Sequence, residues 1–206
     1  MKIIGITGPS GAGKSLLCRS IAGADIPCID ADSVYHSLLI PPSECLSDIE
    51  KAFGKDVIAP DGSLDRARLG QIVFRDEEKL DLLNKTVHGY VTARISQMIG
   101  QFDEKGYAVV ALDAPTLIES GFNRECDFVV SVLAPVSARI ERIMERDSIS
   151  REKAEMRTRA QKSDEFYIGH SDTVIYNDAS AQVFAQRISE LLSSDIFCRE
   201  SEVADD

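Results

Sequence analysis

Hydrophobic positions follow two rhythms along the chain. Short apolar runs at residues 2–7, 26–29, 108–112, 128–133 and 173–176 are each followed by turn residues or a helix start, and they predict five strands. Continuous rather than alternating apolarity suits strands buried on both faces, so the pattern predicts an α/β fold around a parallel sheet. Between the second and third runs, over residues 40–106, the period turns helical. Ser47 and Glu50 form a capping-box pattern, Asp65 can cap "RARLGQIVF", and Asp76 can cap "EEKLDLLNKTVHGYV". That stretch is too long for a crossover and predicts a helical insertion, either an acceptor-binding unit or a purely structural extension. The boundaries that follow are core at 1–39 and 107–194, insertion at 40–106, and a flexible acidic tail at 195–206.

Composition narrows the class. In 206 residues, 44% are hydrophobic, enough for a sizeable core, and the net charge of −11 disfavours a broad nucleic-acid surface. The five cysteines, Cys18, Cys28, Cys45, Cys126 and Cys198, have no paired metal-ligand spacing and read as small hydrophobes in a reducing compartment. The chain enters its first strand at once, leaving no room for a leader, and no apolar run approaches membrane-spanning length. The expectation is a cytoplasmic monomer with no membrane or nucleic-acid partner.

The first strand runs into "TGPSGAGKS", in which Gly8, Gly13, Lys14 and Ser15 have phosphate-loop spacing. Backbone amides of such a loop cradle phosphates, the lysine reaches the β/γ oxygens of a nucleoside triphosphate, and the serine ligates Mg²⁺. Gly8, Gly11, Ala12, Gly13, Lys14, Ser15 and Leu16 are therefore the expected nucleotide positions, with Ser15 as metal ligand. The helix beginning near Ser15 adds its dipole to the anion site.

Carboxylates follow the second and third strands, at the sheet edge where open α/β folds bind ligands. In "CIDADSVYH", Asp32 is placed to orient or accept a proton from an acceptor hydroxyl or to support Mg²⁺, although Asp30 or Asp32 could equally cap the next helix. The run "YAVVALD" delivers Asp113 to the same edge, as the metal-supporting strand of phosphate-loop enzymes does, and Asp113 is expected on the substrate side of the site; equally it could bond a local turn. Arg139, Arg142 and Arg146 share one helical face in "SARIERIMERDSISREKAEMRTRAQK". Glu141 and Glu145 could make that face a solvated salt-bridge surface; alternatively the basic helices form a lid over transferring phosphate. His36, His88 and His170 are scattered and form no metal-ligand spacing. Asn84 lies one turn before His88 on one helical face.

Taken in order, "TGPSGAGKS", "IDAD", "DGSL", "LNKTVH", "DAPTLIE", "RIMERD", "RTRAQ" and "VIYND" resemble the dephospho-coenzyme A kinase family over nearly the whole chain. The resemblance implies a P-loop kinase core with a five-stranded parallel sheet, a helical acceptor-binding insertion and a helical lid at residues 139–165. It implies ATP-dependent phosphorylation of the ribose 3′-hydroxyl of dephospho-coenzyme A, with Mg²⁺. Matched residue by residue, it makes Asp32 the catalytic aspartate beside Lys14, Arg142 and Arg146. It adds Arg157 and Asn177 at the nucleotide, and Asn84, His88 and Gln161 at the substrate. The chain departs from the family in having Gly89 where a proline usually follows the histidine, and in lacking a glycine after Asn177. The rival expectations are another small P-loop kinase and a GTP-switch module, the latter without an Asn-Lys-x-Asp guanine-reading motif.

Overall fold

The computed structural model describes residues 1–197. Five strands, β1 (Lys2–Thr7), β2 (Cys28–Asp30), β3 (Val109–Asp113), β4 (Phe128–Leu133) and β5 (Thr173–Tyr176), form one sheet in the order β2-β3-β1-β4-β5. β1 pairs in parallel with both β3 and β4, and β4 with β5. β1, β4 and β5 lie where their apolar runs predict them. β3 is displaced by one residue, because Asp113 still pairs in register with Ile6. The reversal of strand order around β1 opens the crevice at the strands' carboxyl ends.

Two compact units divide the chain: Met1–Ile29 with the described residues from Phe102 onward, and Asp30–Gln101. In the first unit, α1 (Lys14–Gly23) and α9 (Ala181–Leu192) supply Leu17, Ile21, Phe184 and Ile188 to a core shared with Ile4, Ile6, Val130 and Val132 of the sheet. Helices α6 (Val136–Asp147), α7 (Arg151–Arg159) and α8 (Asp164–Gly169) belong to the same unit. Phe197 is buried in this core, and Lys2 Nζ donates to Asp195 O at 3.2 Å. The expected acidic tail thus overlaps packed residues at 195–197, and the remainder of it, 198–206 with Cys198, lies outside the described residues.

The second unit holds α2 (Ala31–Leu38), α3 (Glu44–Phe53), α4 (Arg66–Val73) and most of α5 (Glu77–Glu104). Its core gathers Leu39, Cys45, Ile49, Val57, Leu69, Val73 and Val87, with Tyr35 and Leu38 of α2 packed against it. That packing carries the unit's start back from the expected residue 40 to Asp30. Asp65 caps α4 through Arg68 N, and Asp76 accepts from Glu78 N and Lys79 N at the start of α5. The capping box expected at Ser47 is not used. Ser43 caps α3 by accepting from Leu46 N, one turn earlier than the pattern suggested, and Ser47 sits inside the helix.

Candidate phosphate-transfer site

The loop between β1 and α1 is shaped by glycines. Gly8 (φ +137°) and Gly13 (φ +113°) hold backbone conformations that other residues adopt at a cost. They are also closely approached: a Cβ on Gly8 would lie 2.3 Å from Val132 O, and one on Gly13 2.5 Å from Asn177 Nδ2. Ala12 N donates to Pro9 O at 3.2 Å, closing the turn. No side chain caps α1; Leu16 N turns back to Gly13 O at 3.0 Å, and the helix's positive dipole end faces the loop, where an anion is favoured. Ser15 is exposed on that first turn.

Lys14 Nζ donates to Asp113 Oδ1 at 2.9 Å, and Cys18 Sγ donates to Asp113 Oδ2 at 3.2 Å. Both carboxylate oxygens therefore face α1 side chains, where the sequence had allowed a local turn role. Asn177, expected at the nucleotide base, is 8% exposed and donates from Nδ2 to Ala12 O at 2.8 Å. Its observed place is behind the loop, bracing it, because a buried amide needs a partner and the loop carbonyl supplies one.

The arginine face of α6 is divided: Arg139 and Arg142 turn to the loop, whereas Arg146 is exposed and salt-bridged. Arg139 is 2% exposed, and donates to Ser10 O at 3.3 Å and to Gln161 Oε1 at 2.7 Å, with Asp164 at 3.5 Å. Burial pulls its guanidinium below the usual pKa, and the Asp164 charge opposes this. Arg142 donates to Gly11 O at 3.0 Å, and Arg146 reaches Ser10 Oγ at 3.3 Å. Arg146 also makes a two-pronged pair with Asp147 at 2.7 and 2.9 Å, and Arg157 pairs with the same carboxylate. These arginine contacts, led by the hydrogen bonds from Arg146, hold the Asp147 carboxyl down at about 2.

In the second unit, Asp30 caps α2 by accepting from Asp32 N and Ser33 N, which resolves the capping ambiguity: the cap is Asp30, and Asp32 is exposed in the helix's first turn. Asn84 and His88 are both exposed, one turn apart on α5. The structure thus gathers Lys14, Asp113, Arg142, Arg146, Arg157, Gln161 and Asn177 around the loop and lid of one unit, and carries Asp32, Asn84 and His88 in the other. Among the described residues there is no cluster of three or more His, Cys, Asp or Glu able to hold a metal, and no helix is long and apolar enough to cross a membrane.

Three residues do more than the sequence suggested: Arg139, read only as part of the basic face, bonds the loop; Cys18, read as a small hydrophobe, donates to Asp113; and Asp147 pairs with two arginines. Cys18 lies four residues after Lys14, so spacing alone could have raised it as a neighbour on the same helical face. Asp147 carried no such signal.

The dephospho-CoA kinase family model matches residues 2–182. The chain belongs to that family. The dephospho-CoA kinase of Thermobifida fusca is 35% identical over 188 residues, covering 91% of this chain and 93% of that protein. A solved dephospho-CoA kinase from Campylobacter jejuni is 27% identical, with a TM-score of 0.70 over 93% of this chain and 96% of that one. A Thermus thermophilus crystal structure is also 27% identical, with a TM-score of 0.82 over 93% and 95% of the two chains. Nucleotide-dependent kinase chemistry on a P-loop fold follows for this chain.

Proposed function

We propose that the protein transfers the γ-phosphoryl group of ATP to the ribose 3′-hydroxyl of dephospho-coenzyme A, acting as a cytoplasmic monomer in the last step of coenzyme A synthesis. The observation that carries the reading is the uncapped N-terminus of α1, with Lys14 beside it on a glycine-shaped loop, in a chain that matches this kinase family over residues 2–182. The bond between Pγ and the β–γ bridging oxygen breaks and one from Pγ to O3′ forms. Asp32 takes the hydroxyl proton.

The loop amides and Lys14 hold the β/γ phosphates, while Asn177 and Arg142, by bonding the loop carbonyls, keep that cradle preorganised. Ser15 is exposed on the first turn of α1, and its hydroxyl suits an ion that keeps few protein ligands and binds mainly through phosphate oxygens. Mg²⁺ held by the Ser15 hydroxyl would supply charge neutralisation at the phosphates. Arg142, Arg146 and Arg157 balance the negative charge that spreads over the transferring group. Asp113 and Gln161 orient Lys14 and Arg139, and Asn84 and His88 are assigned to the acceptor.

An ADP-release assay comparing dephospho-coenzyme A with AMP, CMP and shikimate tests this reading. Dephospho-coenzyme A should be preferred, with the new phosphate on the 3′-oxygen, and Lys14→Ala should lose at least about a hundredfold in kcat while melting normally. Preference for another acceptor, or normal turnover by folded Lys14→Ala, would overturn it.

A further inference from the structure

Asp113 ends β3 between two donors from a single helix. Lys14 takes Oδ1 and Cys18 takes Oδ2, at 2.9 and 3.2 Å. The two donors are four residues apart on α1, one turn along the same face, so they straddle the carboxylate. A carboxylate held at one oxygen can still rotate about its terminal torsion, which is broad and two-fold. Held at both, it presents Oδ1 to Lys14 in one direction. When Lys14 turns to bound phosphates, Cys18 still holds Asp113 in place for its return.

We propose that Cys18 is a positioning residue for the phosphate-gripping lysine, acting through Asp113. The inference rests on the role assigned to Lys14 above. Hydrogen bonding with Cys28, burial and the Asp113 charge all push the Cys18 pKa up, so sulfur keeps its single proton, and the 3.2 Å contact with Asp113 Oδ2 is what directs that proton to the carboxylate. The competing account treats Cys18 as a small hydrophobe, since it also packs against the core of Ile4, Leu17 and Ile21.

The two accounts order the same substitutions oppositely. Serine keeps a donor in place of the thiol, whereas alanine and valine keep apolar packing and lose the donor. Positioning predicts that Cys18→Ala and Cys18→Val lower kcat/KM for ATP and weaken binding of a non-hydrolysable ATP analogue by about three- to tenfold, the scale of one ordinary hydrogen bond felt through an intermediary, with KM for dephospho-coenzyme A unchanged. Cys18→Ser should stay within about twofold of wild type. Alanine carries the comparison if valine disturbs folding, and melting curves for each variant separate lost stability from lost positioning. Wild-type ATP binding in Cys18→Ala, or impairment confined to Cys18→Ser, would overturn the inference. Lys14→Ala run alongside distinguishes the failures: normal turnover there sinks the loop assignment and this inference with it, whereas an inactive Lys14→Ala beside a flat Cys18 series sinks this inference alone.

Discussion

Two aspartates at the start of α2 stand two residues apart and are placed differently. Asp30 lies at the cap, where its carboxylate accepts the amide hydrogens of Asp32 and Ser33, leaving Asp32 in the first turn with its side chain exposed. An N-cap change of Asp30→Ala should therefore cost about 1 kcal/mol of stability. Asp32→Asn should leave the melting temperature near wild type, because the cap is untouched, yet lower kcat about a hundredfold by removing the proton acceptor. Melting curves and saturating-substrate kinetics on both variants check the division. Wild-type turnover in Asp32→Asn would transfer the proton-accepting role to another group.

At the scale of elements, α6 and α7 are clasped at one carboxylate. Asp147 ends α6 and receives Arg146 from its own helix and Arg157 from α7. Its pKa, about 2, is depressed from 3.8 chiefly by the Arg146 hydrogen bonds. A carboxyl lowered on folding contributes stability that is complete above its unfolded value and lost as pH falls through the folded one. The wild-type melting temperature should thus fall more steeply than that of Asp147→Asn between about pH 4 and pH 2, where the variant lacks this proton uptake. Parallel curves would mean that the clasp contributes nothing to folding. The same helix explains why an arginine stripe tolerates like charges at spacings of three and four: Arg139 and Arg142 are satisfied by loop carbonyls rather than by Glu141 and Glu145.

Across the whole molecule, a net charge of −11 coexists with a local basic cluster whose members are engaged, Arg139 and Arg142 with the loop and Arg146 and Arg157 with Asp147. Net negative charge opposes the long-range approach of polyanions. A labelled duplex should show no anisotropy change with micromolar protein at about 150 mM salt. Saturable binding there would mean that the lid face is open to nucleic acid. What was legible along the chain was local. Gly8, Gly13, Lys14 and Ser15 announce a phosphate loop because the chemistry needs them within eight positions, and β1, β4 and β5 are bounded correctly because each carries a short apolar run closed by turn or helix-start residues. Asp65 and Asp76 could be read as caps for the same reason, since a cap bonds amides two or three residues away. Folding alone assigned the rest. Arg142 meets Gly11 from 131 residues away and Asn177 meets Ala12 from 165, so whether each faces solvent, ligand or loop depends on which distant carbonyl the packed core brings within reach. No periodicity in the chain encodes that distance.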